Sequence, residues 1–178
     1  MELREELPGD DQAVREVHLQ AFGDHGGVVA ELAGALRETS GLSLVAEQDG
    51  RVVGHVMFSG SLLDAARRLV EVQVLSPVGV RPEVQRRGIG AALIRHGLEI
   101  LGRRGVPLVW LEGDPGYYSQ LGFQAGGGLG FRRPSLRIPE GAFQIVRLPA
   151  YEPWMTGTLV YPDAFWRHDA VGLRDPDA

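Results

Sequence analysis

Three residue types are missing from this chain of 178 residues: cysteine, lysine and asparagine. Without cysteine there is no thiol nucleophile, no disulfide and no Cys-ligated zinc or iron–sulfur site. Without lysine there is no Walker-type phosphate loop, which depends on a lysine, and no Schiff-base chemistry. Lysine and asparagine share A-rich codons, so their absence indicates a GC-rich genome, most simply a bacterial one.

Long apolar runs are also missing, and none approaches the roughly 20 residues that a membrane-spanning helix needs. The first residues are acidic and polar, whereas a secretory signal has basic residues followed by apolar ones. We therefore expect a cytoplasmic protein with no membrane partner. The net charge of −5 argues against a nucleic-acid partner. The histidines show no metal-ligand spacing, so no metal is predicted.

Size and composition predict one globular domain. Hydrophobic residues make up 44% of the chain and charged residues 23%, which is enough apolar surface for a core that needs no disulfide or metal. No repeat, low-complexity segment or boundary interrupts the chain, so residues 1–178 are expected to form a single domain. The last part, residues 125–178, predicts a loop, two strands and an extended tail.

Hydrophobic periodicity predicts helices that alternate with strands. Helical spacing follows Asp10-Asp11 and recurs between Val28 and Arg37. Two strands, at 42–47 and 52–59, flank Asp49-Gly50, a pair typical of a tight hairpin turn. This order of elements predicts an α/β (α+β) fold with a mixed sheet flanked by helices.

One strand carries an irregularity. Val70, Val72, Val74, Val78 and Val80 share one parity, which is strand alternation, but Ser76-Pro77 lies among them. Proline lacks the amide hydrogen that a central strand needs. We therefore expect a bulge that separates the end of this strand from the strand at 106–111.

The turn after that strand, Gln85-Arg86-Arg87-Gly88-Ile89-Gly90, leads directly into a helix. A helix N-terminus exposes N–H groups and a partial positive charge, and glycines let an anion approach the backbone. The turn therefore predicts a phosphate site. Three interpretations stay open: a dinucleotide fingerprint, whose third glycine is missing here, a tight turn with incidental arginines, or a coenzyme A pyrophosphate site.

Two motifs resemble the GNAT N-acetyltransferase superfamily. Val80-x-Pro82-x-x-Gln85-x-x-Gly88-x-Gly90 is similar to its pyrophosphate motif. The segment 117–123, Tyr-Tyr-Ser-Gln-Leu-Gly-Phe, resembles its aromatic second motif, and one helix and one strand separate the two. The likeness is sharpest over 75–123, where it resembles the YhbS-like predicted bacterial acetyltransferases, and it extends as a fold over about 1–125.

The resemblance implies a site for acetyl-CoA as co-substrate. Pantetheine would pair with the bulged strand, and pyrophosphate would bind the amides of the following turn. The residues expected to bind coenzyme A are Val78, Val80, Gln85, Arg86, Arg87, Gly88, Ile89, Gly90 and Ala91. By the same resemblance, Tyr118 protonates the departing thiolate, while Tyr117 is expected to pack and Phe123 to lie in the core. Many relatives carry an asparagine before this tyrosine, where the present chain has Asp114.

The general base is left open among Glu71, Glu112, His55 and water. Each residue also has a structural interpretation, because a strand-end glutamate is often only solvated and a histidine on an apolar strand is often a hydrogen-bonded core residue. The arginine-rich segment 132–137 is more typical of a solvated loop than of a site for acidic groups.

These observations predict an N-acetyltransferase that passes an acetyl group directly from acetyl-CoA to a primary amine. Direct transfer follows because no cysteine is present to carry the acetyl group. The partner would be a small-molecule or peptide amine, and a homodimer is possible. The alternative is a catalytically degenerate module that binds or senses acyl-CoA.

Overall fold

The computed structural model describes residues 1–39 and 41–172, and its strands and helices alternate along the chain. The strands of this described part are β1 Glu2–Glu5, β2 Gly41–Gln48, β3 Arg51–Ala65, β4 Leu69–Val80, β5 Leu108–Glu112, β6 Gln124–Ala125, β7 Phe131–Arg132, β8 Phe143–Arg147 and β9 Gly157–Val160. The α-helices are α1 Asp11–Ala21, α2 Gly26–Leu36, α3 Ile89–Arg103, α4 Pro115–Tyr118 and α5 Asp163–Arg167. The predicted α/β class with a mixed sheet is confirmed, since the strand pairs include both antiparallel and parallel ones.

The chain divides into two compact units. The first contains Met1–Ser59 and Leu75–Leu101, and the second contains Gly60–Val74 and the described residues from Gly102 onward. Strands β3 and β4 each continue from one unit into the other. The expectation of a single domain over the whole chain stays a prediction.

In the first unit, β1, β2 and the start of β3 form an antiparallel meander. Glu2 is opposite Glu47 and Gly41 is opposite Ser59. The predicted hairpin turn is confirmed, because Asp49 and Gly50 have φ values of 52° and 74°, the left-handed conformation that such turns need.

Helices cover the strands of the first unit by burying one face each. In α1, Val14 and Val17 pack with Val45 and Val52 in a buried cluster. Helix α3 buries Leu93, Ile94 and Leu101. Glycine at position 97 is required there, because a Cβ atom would lie 2.3 Å from the Cε2 atom of Phe58.

The second unit is built around β5. The start of β4 pairs with it in parallel, with Gln73 opposite Val109 and Val74 opposite Trp110, and β8 pairs with it antiparallel on the other side. The Trp110 side chain is fully buried, and its Nε1–H donates to the Ser61 hydroxyl at 3.0 Å. The end of β3 pairs with β9.

Burial along β4 reverses its alternation in the middle of the strand. Val70, Val72 and Val74 are buried, but Leu75 is buried too, and Val78 and Val80 are only half-buried. A one-residue change of this kind is what a bulge produces, which supports the predicted bulge. The Ser76–Pro77 peptide bond in this stretch is cis.

The C-terminal part differs from its prediction. Residues 163–167 form helix α5, where an extended tail was expected, because Phe165 packs its ring on Tyr161 with centroids 4.4 Å apart. Trp166 is 42% exposed, and its ring stands edge-on to that of Tyr161 with centroids 6.0 Å apart. The end of the predicted tail, residues 173–178, lies outside the described residues. No helix of the described chain is both long and apolar enough to cross a membrane.

Candidate functional site

A buried arginine fixes the point where β4 ends and the predicted phosphate turn begins. Arg81 is 1% exposed, its Nε–H donates to the Val52 carbonyl at 2.8 Å, and its backbone N–H donates to Val53. Its guanidinium also donates to Gln20 at 3.0 Å and to Glu16 at 3.3 Å. This role of Arg81 could not be predicted from the sequence, because its partners lie on α1 and β3, far away along the chain.

The turn itself is shaped by local hydrogen bonds. Pro82–Val84 forms one turn of 3-10 helix, and the amide side chain of Gln85 donates to the Val80 carbonyl at 2.9 Å. Gln85 was predicted to bind the coenzyme, and its observed contact holds the turn against the end of β4. The side chains of Arg86 and Arg87 are exposed.

The backbone then enters α3 through two residues with positive φ. The φ values are 61° at Arg86 and 82° at Gly88, and the helix starts at Ile89. The Ala92 N–H donates to the Gly88 carbonyl at 2.9 Å, as the first helical bond does. The N–H groups of the first helical residues have no acceptor within the helix, so this end of α3 presents donors to an anion.

Gly79, between the two valines predicted to pair with pantetheine, is buried against α1. A Cβ atom at Gly79 would lie 2.9 Å from the Nδ1 atom of His18 and 3.4 Å from the ring of Phe22. Only glycine therefore allows the His18 ring to approach β4 this closely. The sequence contained no local signal for this contact.

In the second unit, Tyr118 is held by the loop that precedes it. The Asp114 carboxylate caps α4 by accepting from the Gly116 N–H at 2.9 Å. The Tyr118 ring lies against Gly113, where a Cβ atom would be 2.5 Å from its Cε2 atom, and edge-on to Phe123 with centroids 5.8 Å apart. Asp114, which stands where many relatives have asparagine, therefore has a structural role in this chain as the cap of α4.

The environment of Tyr118 keeps its hydroxyl protonated. Burial, followed by the neighbouring Tyr117 and Asp114, raises the pKa of Tyr118 to about 12. Phe123 is 2% exposed, which confirms its predicted core position. Tyr117 is 40% exposed, and its ring packs edge-on against that of Tyr118 with centroids 4.9 Å apart, which agrees with its predicted packing role.

Two of the candidate bases are glutamates on strands. Glu71 is exposed on β4. The Glu112 carboxylate accepts from the Gly172 N–H at 3.0 Å and is hydrogen-bonded to Tyr161, and burial raises its pKa. Glu112 therefore attaches the end of the described chain to β5.

The third candidate, His55, belongs to a buried polar chain that sequence reasoning did not find. It lies 2.8 Å from His18, Nδ1 to Nε2, and 2.8 Å from the Ser43 hydroxyl through its own Nε2. Ser43 donates to Glu6, and Arg37 donates to the same carboxylate at 2.7 Å. His55 is thus a hydrogen-bonded core histidine, as one interpretation held, and one of its partners is a second buried histidine, His18.

Burial and neighbouring charges set the ionisation of this polar chain. Desolvation lowers the pKa of His18 to about 3, with smaller contributions from the nearby His55 and Arg37. Desolvation also lowers the pKa of His55. The pKa of Glu6 is about 2, because its hydrogen bonds to His55, Ser43 and Arg37 outweigh the opposing effect of burial. At neutral pH both histidines are neutral and Glu6 is ionised.

The arginine-rich segment makes contacts within its own unit. Arg133 pairs with Glu140 at 3.3 Å, and Arg137 lies 3.9 Å from Asp169. Among the described residues there is no group of three or more side chains arranged to hold a metal ion.

In sequence, the chain is similar to known acetyltransferases. Residues 3–126 match the family model described as an acetyltransferase (GNAT) domain. The chain is 34% identical to the uncharacterized N-acetyltransferase YjhQ of Escherichia coli K12, over 74% of each chain. It is 30% identical to YhbS of the same strain, over 83% of this chain and 87% of YhbS.

Two solved structures extend the likeness to the fold. The crystal structure of YhbS from Escherichia coli in complex with CoA superimposes with a TM-score of 0.83 at 29% identity, covering 93% of this chain and 92% of that one. A GNAT family acetyltransferase from Brucella melitensis in complex with acetyl-CoA has a TM-score of 0.74 at 34% identity, covering 92% and 97%.

Proposed function

Because the chain belongs to the GNAT acetyltransferase family, we propose that it transfers an acetyl group from acetyl-CoA directly to a primary amine. The observation that carries this proposal is the turn between β4 and α3. Solved relatives contain CoA or acetyl-CoA, which makes acetyl-CoA the expected donor here. The acceptor is proposed to be a small-molecule or peptide amine, in the cytoplasm, with a homodimer as a further expectation from the sequence.

The turn suits a pyrophosphate for three physical reasons. Positive φ at Arg86 and Gly88 directs the backbone into α3 so that successive N–H groups can point outward. The start of α3 adds a partial positive charge. The exposed Arg86 and Arg87 supply full charges beside it. We assign the pyrophosphate to the amides from Arg86 through Ala91, where Ile89 and Gly90 begin the helix.

The end of β4 suits the pantetheine arm and the acetyl group. Val78 and Val80 carry the backbone groups proposed to pair with pantetheine, and their half-buried side chains offer apolar contact. Backbone N–H groups in this stretch would polarise the acetyl carbonyl, as donors do in an oxyanion hole.

The departing thiolate needs a proton, and Tyr118 is the proposed donor. Its raised pKa, about 12, keeps the O–H group intact at neutral pH. A phenol is also close enough in pKa to a thiol to act as a general acid. Nothing in this assignment requires a metal.

A titration of acetyl-CoA tests the proposal. Wild-type protein should bind acetyl-CoA and release thiol in the presence of at least one amine from a broad screen. Gly88→Asp should lower the affinity by more than about 100-fold, because a carboxylate at this turn repels the pyrophosphate. Gly90→Asp should act in the same direction.

Gly88→Ala is the matched control for the turn. Its added Cβ meets no atom within 4 Å, so this variant introduces only the strain of a side chain at positive φ. It should bind acetyl-CoA far better than Gly88→Asp does. Equal affinity of wild type and Gly88→Asp would refute the turn assignment. Tight binding without transfer to any amine would identify an acyl-CoA-binding module instead.

A further inference from the structure

The buried polar chain of the first unit runs from a cavity to the strand proposed to hold the acetyl group. Its members, in order, are Arg37, Glu6, Ser43, His55 and His18. Glu6, Ser43 and Arg37 line a cavity of about 380 Å³. At the other end, His18 meets Gly79 of β4. Both histidines are fully buried.

The hydrogen bonds of this polar chain can be arranged in only one direction. An ionised Glu6 carboxylate only accepts, so Ser43 uses its single hydrogen on Glu6. The Ser43 oxygen, and the Glu6 carboxylate 3.4 Å from the same ring atom, can then only accept from His55, so its Nε2 carries the hydrogen and its Nδ1 is left as an acceptor. His18 must therefore donate through its Nε2 to that atom at 2.8 Å.

This direction leaves one lone pair unused, at the Nδ1 atom of His18. That atom is buried and has no hydrogen-bond partner among residues 1–39 and 41–172. A buried polar atom without a partner is costly, so such an atom points to a ligand or a reacting group. It lies beside Gly79, where a Cβ atom would be only 2.9 Å away.

We infer that the Nδ1 atom of His18 accepts the proton that the amine loses as it attacks the acetyl group, directly or through one water molecule. This inference rests on the proposed function, and it supplies the general base that the sequence left open. Ser43, His55 and Glu6 act through His18 and are positioning residues.

The proton transfer balances along the polar chain. The amine nitrogen forms a bond to the acetyl carbon, the carbon–sulfur bond breaks, and the thiolate leaves with the electron pair. The proton from nitrogen moves to Nδ1 of His18, and the hydrogen on its Nε2 moves to His55. His55 passes its own Nε2 hydrogen to Ser43, and Ser43 passes its hydrogen to Glu6. Both histidines end neutral, as the other tautomer.

The surroundings of the polar chain disfavour a proton that stays on either histidine. The burial of both rings, and to a smaller extent Arg37, oppose an imidazolium at either histidine, while the Glu6 carboxylate favours it. The low pKa of Glu6, about 2, opposes protonation of this carboxyl, so a proton delivered there is held only transiently before it is released. Glu6 borders the cavity, which offers the route by which the proton leaves. Asp11, 3.7 Å from Arg37, lines the same cavity.

His18→Gln tests the inference, because a glutamine amide can still donate to His55 but offers no basic nitrogen. With an amine that the wild type acetylates, kcat should fall by about 10²–10⁴-fold. The affinity for acetyl-CoA should be unchanged, and KM for the amine should change little, since the proton moves in the transition state. The same substitution at the half-buried His96 of α3 is the matched control and should leave kcat near the wild-type value.

A second measurement separates proton transfer from packing. His18→Ala should regain activity with added imidazole but not with pyrazole, a ring of the same size that is a much weaker base. Reactions without the amine correct for acetylation of imidazole itself. Rescue by both rings to the same extent would overturn the inference in favour of a packing role.

Nitrogen NMR of the wild type shows which ring nitrogens of the two histidines carry hydrogen. This gives the direction of the hydrogen bonds without an activity assay. Both histidines should carry hydrogen on Nε2 and none on Nδ1, and hydrogen on Nδ1 of His18 would overturn the inference even if His18→Gln does not fold. Wild-type transfer together with an unchanged kcat in His18→Gln would overturn this inference alone. Absence of transfer by the wild type would overturn the proposed function, and this inference with it.

Discussion

The buried histidine on α1 should make the protein lose stability in mild acid. The pKa of His18 falls from 6.5 to about 3 in the folded protein, mainly because burial disfavours the charged ring. Below pH 6.5 the unfolded chain therefore binds a proton at this residue that the folded chain does not. The free energy of unfolding must fall as the pH falls through this window.

The size of the effect follows from the shift. One pKa unit corresponds to about 1.4 kcal/mol, so His18 lowers the free energy of unfolding by about 2 kcal/mol between pH 7 and pH 5. The lowered pKa of His55 acts in the same direction. Glu6 contributes in a different window, because its pKa of about 2 lies below its ordinary value of 4.5. Its contribution is present above pH 4.5 and is lost as the pH falls toward 2.

Urea unfolding of wild type and His18→Gln at pH 7, 6 and 5 measures this effect. The wild type should lose about 2 kcal/mol more than the variant over this range, with similar m-values in both proteins. His96→Gln controls for the loss of a histidine as such. Parallel pH dependences in wild type and His18→Gln would show that His18 is not shielded from protonation, which would refute the reasoning from burial.

Two further predictions concern the tyrosine and a close helix–strand contact. Tyr118→Phe should fold and bind acetyl-CoA, and kcat should fall by about 10²–10⁴-fold if the hydroxyl protonates the thiolate. Tyr117→Phe is the control for this change. A Tyr118→Phe enzyme with the wild-type kcat would contradict the assignment. Gly97→Ala should destabilise the protein by about 1–3 kcal/mol, since its Cβ would overlap Phe58. Gly34→Ala, on an exposed helical position with the nearest atom 3.8 Å away, should instead stabilise by about 0.5–1 kcal/mol, and thermal or urea unfolding would show whether the two changes have opposite signs.

Features that depend on neighbouring residues could be predicted from the sequence. The hairpin at Asp49-Gly50 is one, because its left-handed backbone is a property of that dipeptide. The turn leading into α3 is another, since glycine spacing and the start of a helix are both local. Helix α4, which ends at Tyr118, is followed by one turn of 3-10 helix at Ser119–Leu121, and this turn ends at Gly122 with φ of 90°, the conformation that favours glycine. Each of these depends on a few consecutive residues.

Features that depend on distant residues could not be predicted in this way. His18 and His55 are 37 positions apart, and their contact requires both the packing of α1 and the register of β3. The bulge in β4 was expected from Ser76-Pro77, but the residue at which burial changes face, Leu75, was not, because five valines on one parity do not mark that point. Helix α5 was missed because the packing of Phe165 on Tyr161 offsets its weak local propensity.

The sequence by itself determined the family, the fold class and the turn proposed to bind pyrophosphate, because backbone conformation at glycines and helix starts is set by nearest neighbours. Only the tertiary structure decided the roles of the polar residues. It assigned Glu112 to the end of the described chain and Arg81 to the base of the turn, and it joined His18 to His55. The reason is physical: what a polar side chain does depends on its burial and its partners, and folding brings those partners from distant parts of the chain.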